Sequence, residues 1–224
     1  MKIQTAYLTR VYQIGNSVIT AVNKVNLEVD EATFVAVVGP SGSGKSTLLN
    51  LIGLNDHPTS GKIFFDDKDT SLLSSRERRR TRLHCIGFIF QTFNLLPTLN
   101  ALENVELPMA LAGRHKKEQR EKAVQLLNTV GLEDRFFHRP KELSMGEMQR
   151  VAIARALAND SEVLIADEPT GELDSKTAKE IVGLLYDLRE ERETTVIVAT
   201  HDAKIVEAAD VIYHIHDGKL KPER

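Results

Sequence analysis

The chain has 224 residues, 29 basic and 32 acidic side chains and a formal charge of −3, with 42% hydrophobic and 27% charged residues, an ordinary core-forming composition. No apolar run approaches the ~20 residues of a membrane span, and the single cysteine, Cys85, excludes an internal disulfide and a cysteine-based zinc site. A pI near 6.2 gives no electrostatic case for nucleic acid as a partner.

The N-terminal MKIQTAYLTRVYQ lacks the apolar stretch of a signal peptide, which predicts a cytoplasmic chain. Lys2 to Tyr12, Val25 to Val29 and Lys62 to Phe65 read as short strands joined by turns such as Gly15-Asn16 and Asp66-Asp67, an antiparallel β portion at the front. Thr33 to Val38, Ile86 to Phe90, Val163 to Ala166 and Thr195 to Ala199 are near-continuous apolar runs. Such runs read as parallel strands buried on both faces. The basic run Arg76 to Arg80 reads as a solvated helix face. From about 95 to 142 the rhythm breaks at Pro97, Pro108 and Pro140. There Ala123, Leu126, Leu127 and Val130 follow helical spacing, as do Ile181, Leu184, Leu185 and Leu188 later. The expected fold is α/β: a mostly parallel sheet, an N-terminal antiparallel β subdomain, and a helical subdomain of about 95–158 inserted into a core of about 1–94 and 159–224.

Gly39-Pro40-Ser41-Gly42-Ser43-Gly44-Lys45-Ser46, followed by Thr47, matches the phosphate-loop pattern G-x-x-x-x-G-K-[ST] between a buried strand and a helix. Glycines let successive N–H groups turn inward on an anion, and the helix N-terminus adds its positive end. Lys45 suits β- and γ-phosphates, and Ser46 suits Mg²⁺. The run to Ala166 ends in Asp167 and Glu168. Asp167 is placed to hold Mg²⁺, and Glu168 to deprotonate an attacking water. Gln91 and His201 follow strands in the same way, the first toward metal or water, the second toward a γ-phosphate or water. Ser144 with Glu147 has capping-box spacing, so the segment either starts a helix or, with Gly146, forms a second anion site.

Taken in order, these stretches resemble the nucleotide-binding subunit of an ATP-binding cassette (ABC) transporter: phosphate loop at 39–46, glutamine loop at Gln91, signature at 143–147, magnesium strand at 163–168, D-loop from Gly171 to Asp174 and switch His201. The resemblance implies ATP and Mg²⁺ as ligands, with adenine stacked on Tyr12. It also implies hydrolysis in a head-to-tail dimer, in which Ser144 of one subunit caps the γ-phosphate held by the other's Lys45. The segments Gly87 to Pro97, Leu102 to Pro108 and Ala166 to Ser175 are similar to the lipoprotein-release, macrolide-export and peptide-resistance branch. That implies an integral membrane permease with a large extracytoplasmic domain as partner, and a peripheral position on the inner face of the membrane. Phe93, Leu95, Leu96 and Met109 are then expected as exposed docking anchors on the insertion. The signature departs from Leu-Ser-Gly-Gly-Gln at Met145 and Glu147. Two other readings stay open: a regulatory ATPase coupled to a cell-division or signalling membrane partner, and a soluble ATPase acting on DNA or ribosomes. The second usually brings coiled coils, fused cassettes or basic surfaces that this chain lacks.

Overall fold

A computed structural model describes residues 1–222. The elements run β1 (Ile3–Ile14), β2 (Ser17–Val25), β3 (Glu28–Val29), β4 (Phe34–Val38), α1 (Lys45–Ile52), β5 (Ser60–Phe65), β6 (Lys68–Asp69), α2 (Ser75–Cys85), β7 (Ile86–Ile89), α3 (Ala101–Leu111), α4 (Lys116–Thr129), α5 (Met145–Ala156), β8 (Val163–Asp167), α6 (Ser175–Arg192), β9 (Thr195–Thr200), α7 (Ala203–Ala208), β10 (Val211–His216) and β11 (Lys219–Pro222). The four apolar runs, as β4, β7, β8 and β9, join β10 and β11 in a sheet of order β11-β10-β4-β9-β8-β7, parallel except for β11. A second, antiparallel sheet carries β2-β1-β5-β6, with β3 also paired to β1.

Side chains alternate across a strand, so each buried run feeds two cores. Phe34, Leu164, Ala166, Val196 and Val198 face one core with α3 to α6. Val35, Val37, Val163, Ile165, Ile197 and Ala199 face the other, shared with α1 and the antiparallel sheet through Ile3, Leu8 and Val22. The mixed α/β architecture agrees with the expectation from sequence. Ala123, Leu126, Leu127 and Val130 are buried as their spacing predicts, as are Ile181, Leu185 and Leu188.

Several local expectations change. Strand β2 has no counterpart in the sequence reading, because Val18 and Ile19 in its outer half are exposed and leave no buried stripe. Pairing with β1 is what orders it. Val25 to Val29 is divided: Val25 closes β2, and Glu28–Val29 pair separately with the start of β1. Pro108 lies inside the last turn of α3. Arg78, within the solvated basic run, is buried and donates to the Leu54 and Asp56 carbonyls.

Candidate active site

Parallel register assembles the site. Val38 lies opposite Thr200, Ala199 opposite Asp167, and Ala166 opposite Ile89, so four strand ends share one edge of the sheet. Ligands in open α/β sheets bind outside these carboxyl ends. Here a cleft of about 270 Å³ is lined by Ser41, Gly42, Gly44, Lys45, Ser46 and Thr47, with Gln91, Asp167 and Glu168 facing them.

Close packing explains two of the loop's three glycines. A Cβ on Gly44 would stand 2.1 Å from the Ala21 carbonyl oxygen, and one on Gly39 would stand 2.2 Å from that of Ile215. Gly44 also sits at φ 108°, where a side chain is strained. Strands β2 and β10 therefore press the loop into shape from behind. Ser43 N–H donates to Pro40 O at 3.2 Å and tightens the turn. Gly44 opens α1 without a side-chain cap, a helix N-terminus of the kind that receives anions. Lys45 is only 5% exposed; its Nζ donates to Gly39 O at 2.7 Å and Pro40 O at 3.1 Å.

From Lys45 a chain of polar contacts crosses the edge. Its Nζ lies 3.5 Å from Glu168 Oε1, and Glu168 Oε2 lies 3.0 Å from His201 Nδ1. Glu168 holds φ 47° while its N–H bonds Ala199 O at 2.9 Å, an uncommon backbone state that turns its side chain out of the strand alternation. Asp167 Oδ1 is buried without a partner. Burial pushes the Asp167 carboxyl above its ordinary range, the Glu168 charge adds to this, and the Ser46 hydroxyl and Lys45 oppose it. An unpaired buried carboxylate oxygen beside a serine hydroxyl fits a hard, oxygen-seeking cation. Among the described residues no group of three or more His, Cys, Asp or Glu could hold a metal ion.

Gln91 is exposed, and its amide donates to Glu172 Oε1 at 3.3 Å. Arg155 on α5 donates to the Phe93 and Asn94 carbonyls, strapping the segment after Gln91 to the helix that begins at Ser144. Nothing in the spacing of Glu172, within the stretch Gly171 to Asp174, or of Arg155 signals these contacts.

Ser144, Gly146 and Tyr12 do not line this cleft. Ser144 caps α5: its Oγ accepts from Glu147 N–H at 3.2 Å, and Glu147 Oε2 accepts from Ser144 N–H at 2.8 Å. Gly146 packs on α6, where a Cβ would stand 2.5 Å from Thr177 Cγ2. Tyr12 is half-buried on β1, donates its hydroxyl to Asp56 Oδ2 at 2.8 Å, and carries the Arg10 guanidinium 4.5 Å from its ring centre. Of the expected anchors, Leu96 is 44% exposed. Phe93 and Leu95 are half-buried. Met109 is fully buried, a correction: its face of α3 packs into the core with Leu102 and Val105.

The profile of the family described as ABC transporter matches residues 22–171. The chain belongs to the ABC transporter family. Within it, this cassette is an ATPase. It is 48% identical to an uncharacterized ABC transporter ATP-binding protein of Thermotoga maritima, over 95% of this chain and 90% of that one. It is 44% identical to a macrolide export ATP-binding/permease protein of Aeromonas hydrophila; the match covers 99% of this chain but only 34% of that longer protein. Among solved structures, a dimeric ATP-binding cassette in a post-hydrolysis state with ADP and Pi superposes with a TM-score of 0.92 at 44% identity, covering 99% of this chain and 98% of that one.

Proposed function

We propose that this cassette is the ATP-hydrolysing motor of a membrane export or extrusion complex. It works as a head-to-tail ATP-bound dimer on an integral permease with a large extracytoplasmic domain. The observation that carries the reading is the contact chain Lys45–Glu168–His201 at the phosphate loop, a cation and a carboxylate lining one cleft with an imidazole 3.0 Å from that carboxylate. The resemblance to export proteins in which cassette and permease share a chain supports the partner. Similarity to cassettes solved as dimers supports the pairing. No helix among the described residues is long and apolar enough to cross a membrane. The permease holds the cassette at the inner face. One domain is proposed, with the helices of about 95–158 inserted between β7 and β8.

Each residue has a task. Lys45 exchanges the Gly39 and Pro40 carbonyls for β- and γ-phosphate oxygens, while N–H groups from Ser41 to Thr47 close on the rest. Tyr12 offers its ring to adenine. Ser46, Asp167 and Gln91 would hold magnesium, which when bound neutralises phosphate charge. Glu168 takes a proton from water as the water oxygen attacks the γ-phosphorus in line; the bond to the β-bridging oxygen breaks, leaving ADP and phosphate. His201 orients Glu168 and that water. Ser144 of the second copy, with N–H groups near its Gly146, completes the site.

Two variants test this reading. Glu168→Gln should accumulate an ATP-bound dimer on gel filtration, and a persistent monomer would overturn the dimer. Lys45→Ala should abolish nucleotide binding, and normal binding would remove the phosphate loop from the site.

A further inference from the structure

The helix behind the signature carries a feature that its two counterparts lack. Helices α2, α3 and α5 all open with a capping box, through Ser74 and Glu77, Asn100 and Glu103, and Ser144 and Glu147. Among the described residues, Glu77 and Glu103 serve their caps with no cation paired to them. Glu147 is different: while Oε2 accepts from Ser144 N–H, its Oε1 lies 2.7 Å from Arg135 Nε. A capping box therefore does not need an arginine; Glu147 also differs from the exposed Glu77 and Glu103 in being half-buried, its side chain keeping 26% exposure beside an exposed Met145. Among these three helix starts, only that of α5 sets a cation against its capping glutamate. The helix end with Ser144 is the half-site that, on the reading above, meets the γ-phosphate bound by the second copy. A bare carboxylate there would repel that phosphate.

We propose that Arg135 is a charge-balancing positioning residue for the nucleotide held by the second copy: by pairing with Glu147 it lets a signature that ends in glutamate accept an anion. The inference rests on the trans arrangement proposed for Ser144. Arg135 itself need not touch the nucleotide. It keeps both Glu147 oxygens engaged, and so fixes the rotamer of the capping box at the exposed Ser144.

The test uses the full chain in the Glu168→Gln background, reading the ATP-dependent dimer dissociation constant by sedimentation. Nucleotide-free melting curves of the same proteins serve as the control. Arg135→Gln keeps a hydrogen-bond donor and removes the charge; it should weaken the dimer by about tenfold, less so at high salt. Arg135→Lys should retain the parent's affinity. With Glu147→Gln also present, Arg135→Gln should have no further effect on dimerisation, since no charge is left to cancel. An equal loss in both Glu147 backgrounds, or no loss in either, overturns the proposal. So does a loss matched by a fall in nucleotide-free melting temperature that Lys fails to rescue. If Glu168→Gln alone stays monomeric with ATP, the trans reading itself fails and takes this inference with it. If it dimerises and Arg135→Gln is silent, only the charge-balancing role is lost.

Discussion

Replacing Ser144 with aspartate separates the two roles its position allows. As a helix cap, aspartate is the equal of serine, and its charge favours a helix N-terminus. Arg135, already beside Glu147, limits repulsion between the two carboxylates. The folded chain should therefore be as stable as the parent. Alanine removes the acceptor for the Glu147 N–H, a 3.2 Å bond, and should cost about 1 kcal/mol, or roughly 2–4 °C of melting temperature for a chain of this size. Function should rank the variants in the opposite order. A carboxylate facing the γ-phosphate of the second copy acts across a partly desolvated interface, at a penalty on the order of tenfold or more for each site. Two such sites in a symmetric dimer compound it. Melting without nucleotide and gel filtration with ATP and Mg²⁺, both in the Glu168→Gln background, give the two readouts. If Ser144→Asp dimerises as readily as the parent, Ser144 is a cap and nothing more.

Gly146→Ala should destabilise the chain by about 1–3 kcal/mol through overpacking, because its Cβ meets Thr177 Cγ2 at 2.5 Å; Thr177→Ser removes that methyl and should recover most of the loss in urea unfolding. His201→Ala should leave nucleotide binding intact and lower turnover by about 10²–10⁴-fold, since it frees Glu168 without touching the phosphate loop; unchanged turnover would place His201 outside the chemistry. Acid titration should show the Asp69 contribution, because a hydrogen-bonded Lys62 and Ser71 hold its carboxyl at about 2. Its folded pKa lies below the unfolded value of about 3.9, so its stabilisation is present above that value and fades as pH falls toward 2. Asp69→Ala should flatten that part of the stability curve relative to the parent, and a curve of identical slope would remove Asp69 from the account.

Much of the site was legible because its signals are local. The loop from Gly39 to Ser46 is written in consecutive residues, and the Ser144–Glu147 box spans one helical turn. The four apolar runs announce parallel strands, and each run's last residues name the groups at one sheet edge: Gly39, Gln91, Asp167 with Glu168, and His201. That inference needed only the rule that parallel strands share a carboxyl end. Met109 illustrates the limit. An exposed anchor and a core residue look alike in an apolar stretch, and burial is decided by the helices that pack over it.

Sequence alone therefore determined which chemical groups are present, in what order, and on which kind of element, since propensity, capping and apolar period act over a few residues. Tertiary structure decided which of them meet. Strand β2 exists because β1 pairs with it, and then supplies the Ala21 carbonyl that forbids a side chain at Gly44. Glu168 reaches Lys45 and His201, Arg155 reaches Phe93 and Asn94, and Arg135 reaches Glu147, all across chain separations that carry no periodic signal. Such contacts are set by sheet order and by the crossing of helices over it, quantities that belong to the whole packed chain and to no segment of it.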